Sequence, residues 1–226
     1  MPYADNDGVR IYYEIEGPDK PVLVMAHGGT GSLEDWRKHG YTDAFNDEFQ
    51  LVLFDARGHG QSGRPHEASI SAMADDVIAV LDSVGVAEAN YWGYSMGSAI
   101  GLDLAIRHAS RFDSFIFGGI SPYHWPEAII KPLIEARNEF AGNSEADVAI
   151  LDALVNHQPL TDDELTGIDV PCLFYCGNKD PFHAGAKECV RHIQKARFVS
   201  LAGANHASVK ADQIIPHVKK FLAEII

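Results

Sequence analysis

The feature that most constrains this chain is a rhythm. Short, continuous apolar runs closed by glycine or polar residues alternate with longer stretches whose apolar positions recur at helical spacing. PVLVMAHGG, FQLVLFDARG, ANYWGYS, DSFIFGGI, VPCLFYCGN and ARFVSLAG are the runs, each the length of a strand buried on both faces. Between and after them lie LEDWRKHGYTDAFNDE, SISAMADDVIAVLDSVG, MGSAIGLDLAIRHAS, a helix around AKECVRHIQ, and ADQIIPHVKKFLAEI. Ile70, Met73, Val77, Val80, Leu81 and Val84 show the helical period most clearly. Buried strands joined by crossover helices predict an α/β protein with a mostly parallel central sheet and helices on both faces. VRIYYEIEG alternates apolar and polar positions, which predicts a half-exposed strand before the series begins.

One segment breaks the rhythm. Residues 121–169 read as two or three helices with no strand between them, a small helical insertion over one edge of the sheet. Pro126 suits a first helical turn, Pro132 lies early in the first helix, and Thr161 with Glu164 has the spacing of a capping box. With 226 residues and no linker or repeat, the chain is expected to be one domain, residues 1–226, carrying that insertion.

Composition narrows the function. A formal net charge of -14, spread along the chain, repels phosphate backbones and anionic lipid, so neither nucleic acid nor membrane is an expected partner. The N-terminus shows no basic region followed by an apolar stretch, which points to a cytoplasmic protein. Cys172, Cys176 and Cys189 match no zinc or redox spacing and are expected to be reduced and structural; no metal or cofactor pattern is found.

Parallel strands deliver the residues that follow them to one edge, where ligands of open α/β sheets bind. That edge receives His27 to Gly29, then Asp55, Arg57 and His59, then Ser95, then Asn178 and Asp180, then Asn205 and His206. Gly93-Tyr94-Ser95-Met96-Gly97 fits Gly-x-Ser-x-Gly, a sharp strand-to-helix turn that exposes the serine hydroxyl at the start of a helix.

HGG at 27–29, DARGHGQSGRP at 55–65, GYSMG, GNKDPF at 177–182 and GANHAS at 203–208, in this order, resemble the α/β-hydrolase family over nearly the whole chain. The resemblance implies Ser95 as nucleophile, His206 as general base and Asp180 as the carboxylate that orients the imidazole. It implies an oxyanion hole from the backbone N–H groups of Gly29 and Met96. DARGHGQSGRP and His27 are assigned to the scaffold. Tyr94, Tyr123, Trp125 and Phe140 are candidates for the substrate pocket, with residues 121–169 as a short lid that sets specificity. The expected reaction is cleavage of small carboxylic esters through an acyl-enzyme, with a small-molecule ester or lactone as partner and the oligomeric state open. An enol-lactonase or carbon–carbon bond hydrolase, a perhydrolase-type acyl transfer and a ligand sensor on the same fold stand as alternatives. The enol-lactonase or carbon–carbon bond hydrolase reading needs a basic pocket residue, for which Arg137 or Lys131 in the lid could serve.

Overall fold

The computed structural model describes residues 2–225. Eight strands form one sheet: β1 (Tyr3–Asn6), β2 (Val9–Glu16), β3 (Val22–Ala26), β4 (Gln50–Phe54), β5 (Ala89–Tyr94), β6 (Phe112–Gly118), β7 (Cys172–Gly177) and β8 (Ala196–Leu201). Their order is β1-β2-β4-β3-β5-β6-β7-β8. The β1/β2 and β2/β4 pairs are antiparallel and all others parallel. The parallel α/β architecture predicted from the apolar runs is the one observed.

Side chains along the inner strands alternate between two cores. Val24, Phe54, Tyr91, Phe117 and Phe174 face one layer of helices. Leu23, Leu53, Trp92, Ile116 and Tyr175 face the other. The first layer contains α3 (Ile70–Val84) and α4 (Met96–Arg107); the second contains α1 (Glu34–Lys38), α2 (Tyr41–Phe45) and α9 (Ala211–Ala223). Helix α3 starts where the Ser69 hydroxyl accepts from the Ala72 N–H at 3.0 Å, and it stops at Gly85 with φ 78°. It buries Met73, Val77, Val80 and Leu81, the stripe read from the sequence.

Three helices run between β6 and β7: α5 (Glu127–Phe140), α6 (Glu145–Val155) and α7 (Asp162–Thr166). Thr161 and Glu164 form the expected capping box on α7. Pro126 is the N-cap of α5, one position before the first turn in which it was expected. Helix α6 buries Ile150 and Leu154 against the body, whereas α5 buries no residue.

Other expectations needed adjustment. β1 was not foreseen; it pairs with β2 across Asp7 and Gly8, whose φ values of 51° and 82° give a two-residue hairpin. The helix expected around 186–194 is α8 (His183–Cys189), which begins earlier and stops short. Residues 33–48 form two helices because Gly40, at φ 75°, breaks the run between them. All three cysteines are free and buried. Among the described residues no helix is long and apolar enough to cross a membrane.

Candidate active site

The site is assembled from the strand ends. Ser95 sits between β5 and α4 at φ 51° and ψ -112°, a conformation that non-glycine residues rarely adopt and that must be held from outside. Two bonds hold it: the Ser95 N–H donates to the Gly118 carbonyl at 2.8 Å, and the Gly97 N–H to the His27 carbonyl at 3.1 Å. The turn also needs Gly97. A Cβ there would stand 2.1 Å from the Ala26 carbonyl oxygen, so β3 and α4 approach each other only because no side chain intervenes.

Ser95 Oγ lies 3.0 Å from His206 Nε2, and His206 Nδ1 lies 3.0 Å from Asp180 Oδ2. Asp180 is 4% exposed and is held at its other oxygen, where Oδ1 accepts from the Phe182 N–H at 2.9 Å. Its carboxylate therefore both turns the start of the next segment and faces the imidazole. Tyr94 packs beside them, with its ring stacked on His206 at 5.5 Å and its hydroxyl donating to the His206 carbonyl. Burial, with the Asp180 charge added, pushes its phenol well above the ordinary tyrosine range, so it stays a donor.

The loop after β3 is fixed by two imidazoles. The Ala56 N–H donates to His27 Nε2 at 3.1 Å, so the ring proton is on Nδ1, which donates to the Gly28 carbonyl at 2.8 Å. The Gly31 N–H donates to the same carbonyl at 3.0 Å. In a trans peptide the N–H points opposite the C=O, so pinning the Gly28 carbonyl aims the Gly29 N–H the other way. His59 Nε2 donates to the Gly29 carbonyl at 2.9 Å and fixes the next peptide. Met96 is the first residue of α4, where an N–H has no partner within the helix. Its Cβ lies 3.7 Å from where a Gly29 Cβ would stand, which puts the two backbones side by side. Burial first, and the neighbouring His59 second, lower the His27 pKa to about 4.

Beside Ser95 opens a cavity of about 490 Å³. Tyr94 lines it, with Asp35, Trp36, Tyr41 and Tyr175. Tyr123, Trp125 and Phe140 do not line it. Tyr123 donates to Asp162 at 3.2 Å, Trp125 packs edge-on to Phe182, and Phe140 is 42% exposed at the end of α5. Sequence reasoning missed Trp36, Tyr41 and Tyr175. Trp36 and Tyr41 sit on short helices read only as amphipathic, and Tyr175 is inside a strand read as core.

Residues 21–149 match the family model described as the alpha/beta hydrolase fold. The chain belongs to the α/β-hydrolase family. Among curated members, it is 38% identical to the "Putative carbamate hydrolase RutD" of Azorhizobium caulinodans over 115 residues, 50% of this chain and 42% of that one. It is 27% identical to the 3-oxoadipate enol-lactonase 1 of Acinetobacter baylyi over 125 residues, 55% of this chain and 46% of that one. The chain spans about half the length of the curated α/β-hydrolases it matches. A solved enol-lactonase from Burkholderia xenovorans superposes with a TM-score of 0.82 at 24% identity, over 98% of this chain and 100% of that one. At that identity the likeness is one of fold.

Proposed function

We propose that this α/β-hydrolase cleaves small carboxylic esters through an acyl-enzyme formed on Ser95. The observation that carries the reading is the continuous line from Ser95 Oγ through His206 to Asp180, with both contacts at 3.0 Å. In this mechanism His206 Nε2 takes the hydroxyl proton as Oγ attacks the ester carbonyl, and Asp180 stabilises the imidazolium through Nδ1. The developing oxyanion would sit against the N–H groups of Gly29 and Met96, a role supported by the pinned loop and by the first-turn position of Met96. His206 then gives its proton to the leaving alcohol. Water, activated by the same imidazole, resolves the acyl-enzyme and restores Ser95. Helices α5 to α7 serve as a lid, touching the loop at Gly29 through Leu154.

Release of p-nitrophenol from a series running from acetate to laurate tests the reading. The native chain is expected to turn over the short members best, and Ser95→Ala to lose at least about 10³-fold in kcat with an unchanged circular dichroism spectrum. No turnover at any length, or full activity in Ser95→Ala, overturns it. The lactonase alternative would use the same Ser95, His206 and Asp180 line but needs a pocket cation. Arg137 is paired with Asp152 at 2.6 Å and Lys131 is exposed on α5, so neither cation offered for a carboxylate-bearing substrate lines the cavity.

A further inference from the structure

The cavity beside Ser95 has a charge of its own. Its lining holds no lysine or arginine among the described residues, and its one carboxylate is Asp35, in the first turn of α1. That carboxylate leans over the loop after β3: Oδ2 accepts from the Ser32 N–H at 3.2 Å and lies 2.2 Å from where a Gly31 Cβ would stand. The lack of a side chain at Gly31 is what lets the negative charge come so close to the backbone of this loop. Its field reaches through the loop, since the Asp35 charge is among those that favour a proton on His27.

Little nearby cancels it. Arg37, two residues on, is engaged by Glu14, Glu16 and Glu34. Lys38 Nζ stands 3.8 Å from Asp35 Oδ1 on a side chain 67% exposed, where water and salt weaken the pair. Asp212 adds to burial in raising the Tyr41 phenol to about 12, so a second negative charge acts on this lining. Beside Thr30, His39, Ala207 and Val209, the lining holds the rings of Trp36, Tyr41, Tyr94 and Tyr175, surfaces that accept apolar groups and attract cations through the ring quadrupole. A carboxylate entering this space would meet like charge, lose water and find no cation.

Resting on the reading of Ser95 as nucleophile, we propose that Asp35 is a specificity-determining residue: it makes this cavity accept esters whose far end is uncharged or positively charged and reject those bearing a carboxylate. The inference names the substrate class by charge and sets it apart from dicarboxylate-derived lactones.

The test compares acetate esters of choline, 3,3-dimethylbutanol and 3-hydroxypropanoate, which carry a cation, an apolar isostere and an anion. The same charges are placed on the acyl end of a second set. Assays run at pH 8, where histidine is uncharged, and at low salt. In at least one set the anionic ester is expected to show kcat/KM about tenfold or more below its neutral partner, with the cationic ester equal or better. Raising the salt to 1 M should narrow that ratio in the native chain, and Asp35→Asn should bring it towards one whatever happens to the absolute rates. Anionic and neutral esters turned over alike in both sets, or a ratio that survives both high salt and Asp35→Asn, overturn the proposal. Failure to turn over the neutral ester would instead overturn the hydrolase reading, and this proposal with it.

Discussion

Asp180 shows how one carboxylate can hold a turn and face an imidazole at once. Oδ1 holds the Phe182 N–H while Oδ2 faces His206, so the two tasks are separable by chemistry. In Asp180→Asn the amide oxygen can keep the bond to Phe182, but the NH₂ then meets Nδ1 and favours the wrong imidazole tautomer. Steady-state kinetics should show kcat lower by about 10³ to 10⁴-fold, with little change in Tm. His27 supplies a test of stability. Folded, its pKa is about 4 against an ordinary value of 6.5, so as pH falls the unfolded chain takes up this proton first. The stability from this buried neutral ring is fully present above pH 6.5 and is lost progressively down to about pH 4, on the order of 3 kcal/mol in total. His59, Asp55 and Asp35 act on the same ring, the first lowering and the other two raising its pKa. Urea unfolding at pH 7.5 and 4.5 should show a smaller pH-dependent loss in His27→Gln than in the native chain.

At the scale of elements, the segment after β4 binds the sheet to its helices. Asp55 accepts from the Leu33 N–H at 2.9 Å and the Gln61 N–H at 2.8 Å, while Arg57 makes two bonds of 2.6 Å to Asp76 on α3. Asp76 is fully buried, and burial raises its carboxyl pKa despite Arg57, a sign of how much desolvation the pair must offset. Arg57→Met leaves that charge without its partner and should cost about 3–5 kcal/mol in urea unfolding; adding Asp76→Leu should recover much of the loss. These ties also explain what could be read in advance. Strand ends and the elbow were legible because they depend on local chemistry: apolar runs, glycines and a serine in a tight turn. β1 is marked only by Asp7-Gly8, a hairpin turn signal, since the short Tyr3–Asn6 segment shows no alternation of its own. The wall of Trp36, Tyr41 and Tyr175 is not legible, because it depends on how two short helices settle around Trp92 of β5 and not on any pattern within them.

Across the whole molecule, the sheet and its two cores form one body, and the helices between β6 and β7 are its least anchored part. Helix α6 is pinned by the buried Ile150 and Leu154, but α5 has no fully buried residue and packs through half-buried Ile129 and Leu133, mostly beside α6. Hydrogen exchange should therefore release the amides of α5 before those of α4, by orders of magnitude in rate; equal protection would show that α5 is held by something more than its neighbour. Alternation along the chain made the sheet foreseeable, and the gap in that alternation located these helices. Which side of Ser95 they cover was not foreseeable, since a few contacts from α6 decide it. One of those contacts reaches further than packing. Leu154 Cδ1 lies 3.4 Å from the position of a Gly29 Cβ, with the Met96 side chain beside it, so apolar atoms cover the loop that carries the Gly29 N–H. Any motion that lifted α6 would bring water to that loop and raise the local dielectric, weakening the pull of its N–H on a developing negative charge. On the proposed mechanism, the seating of α6 would thus set the solvent that a transition state at Ser95 feels.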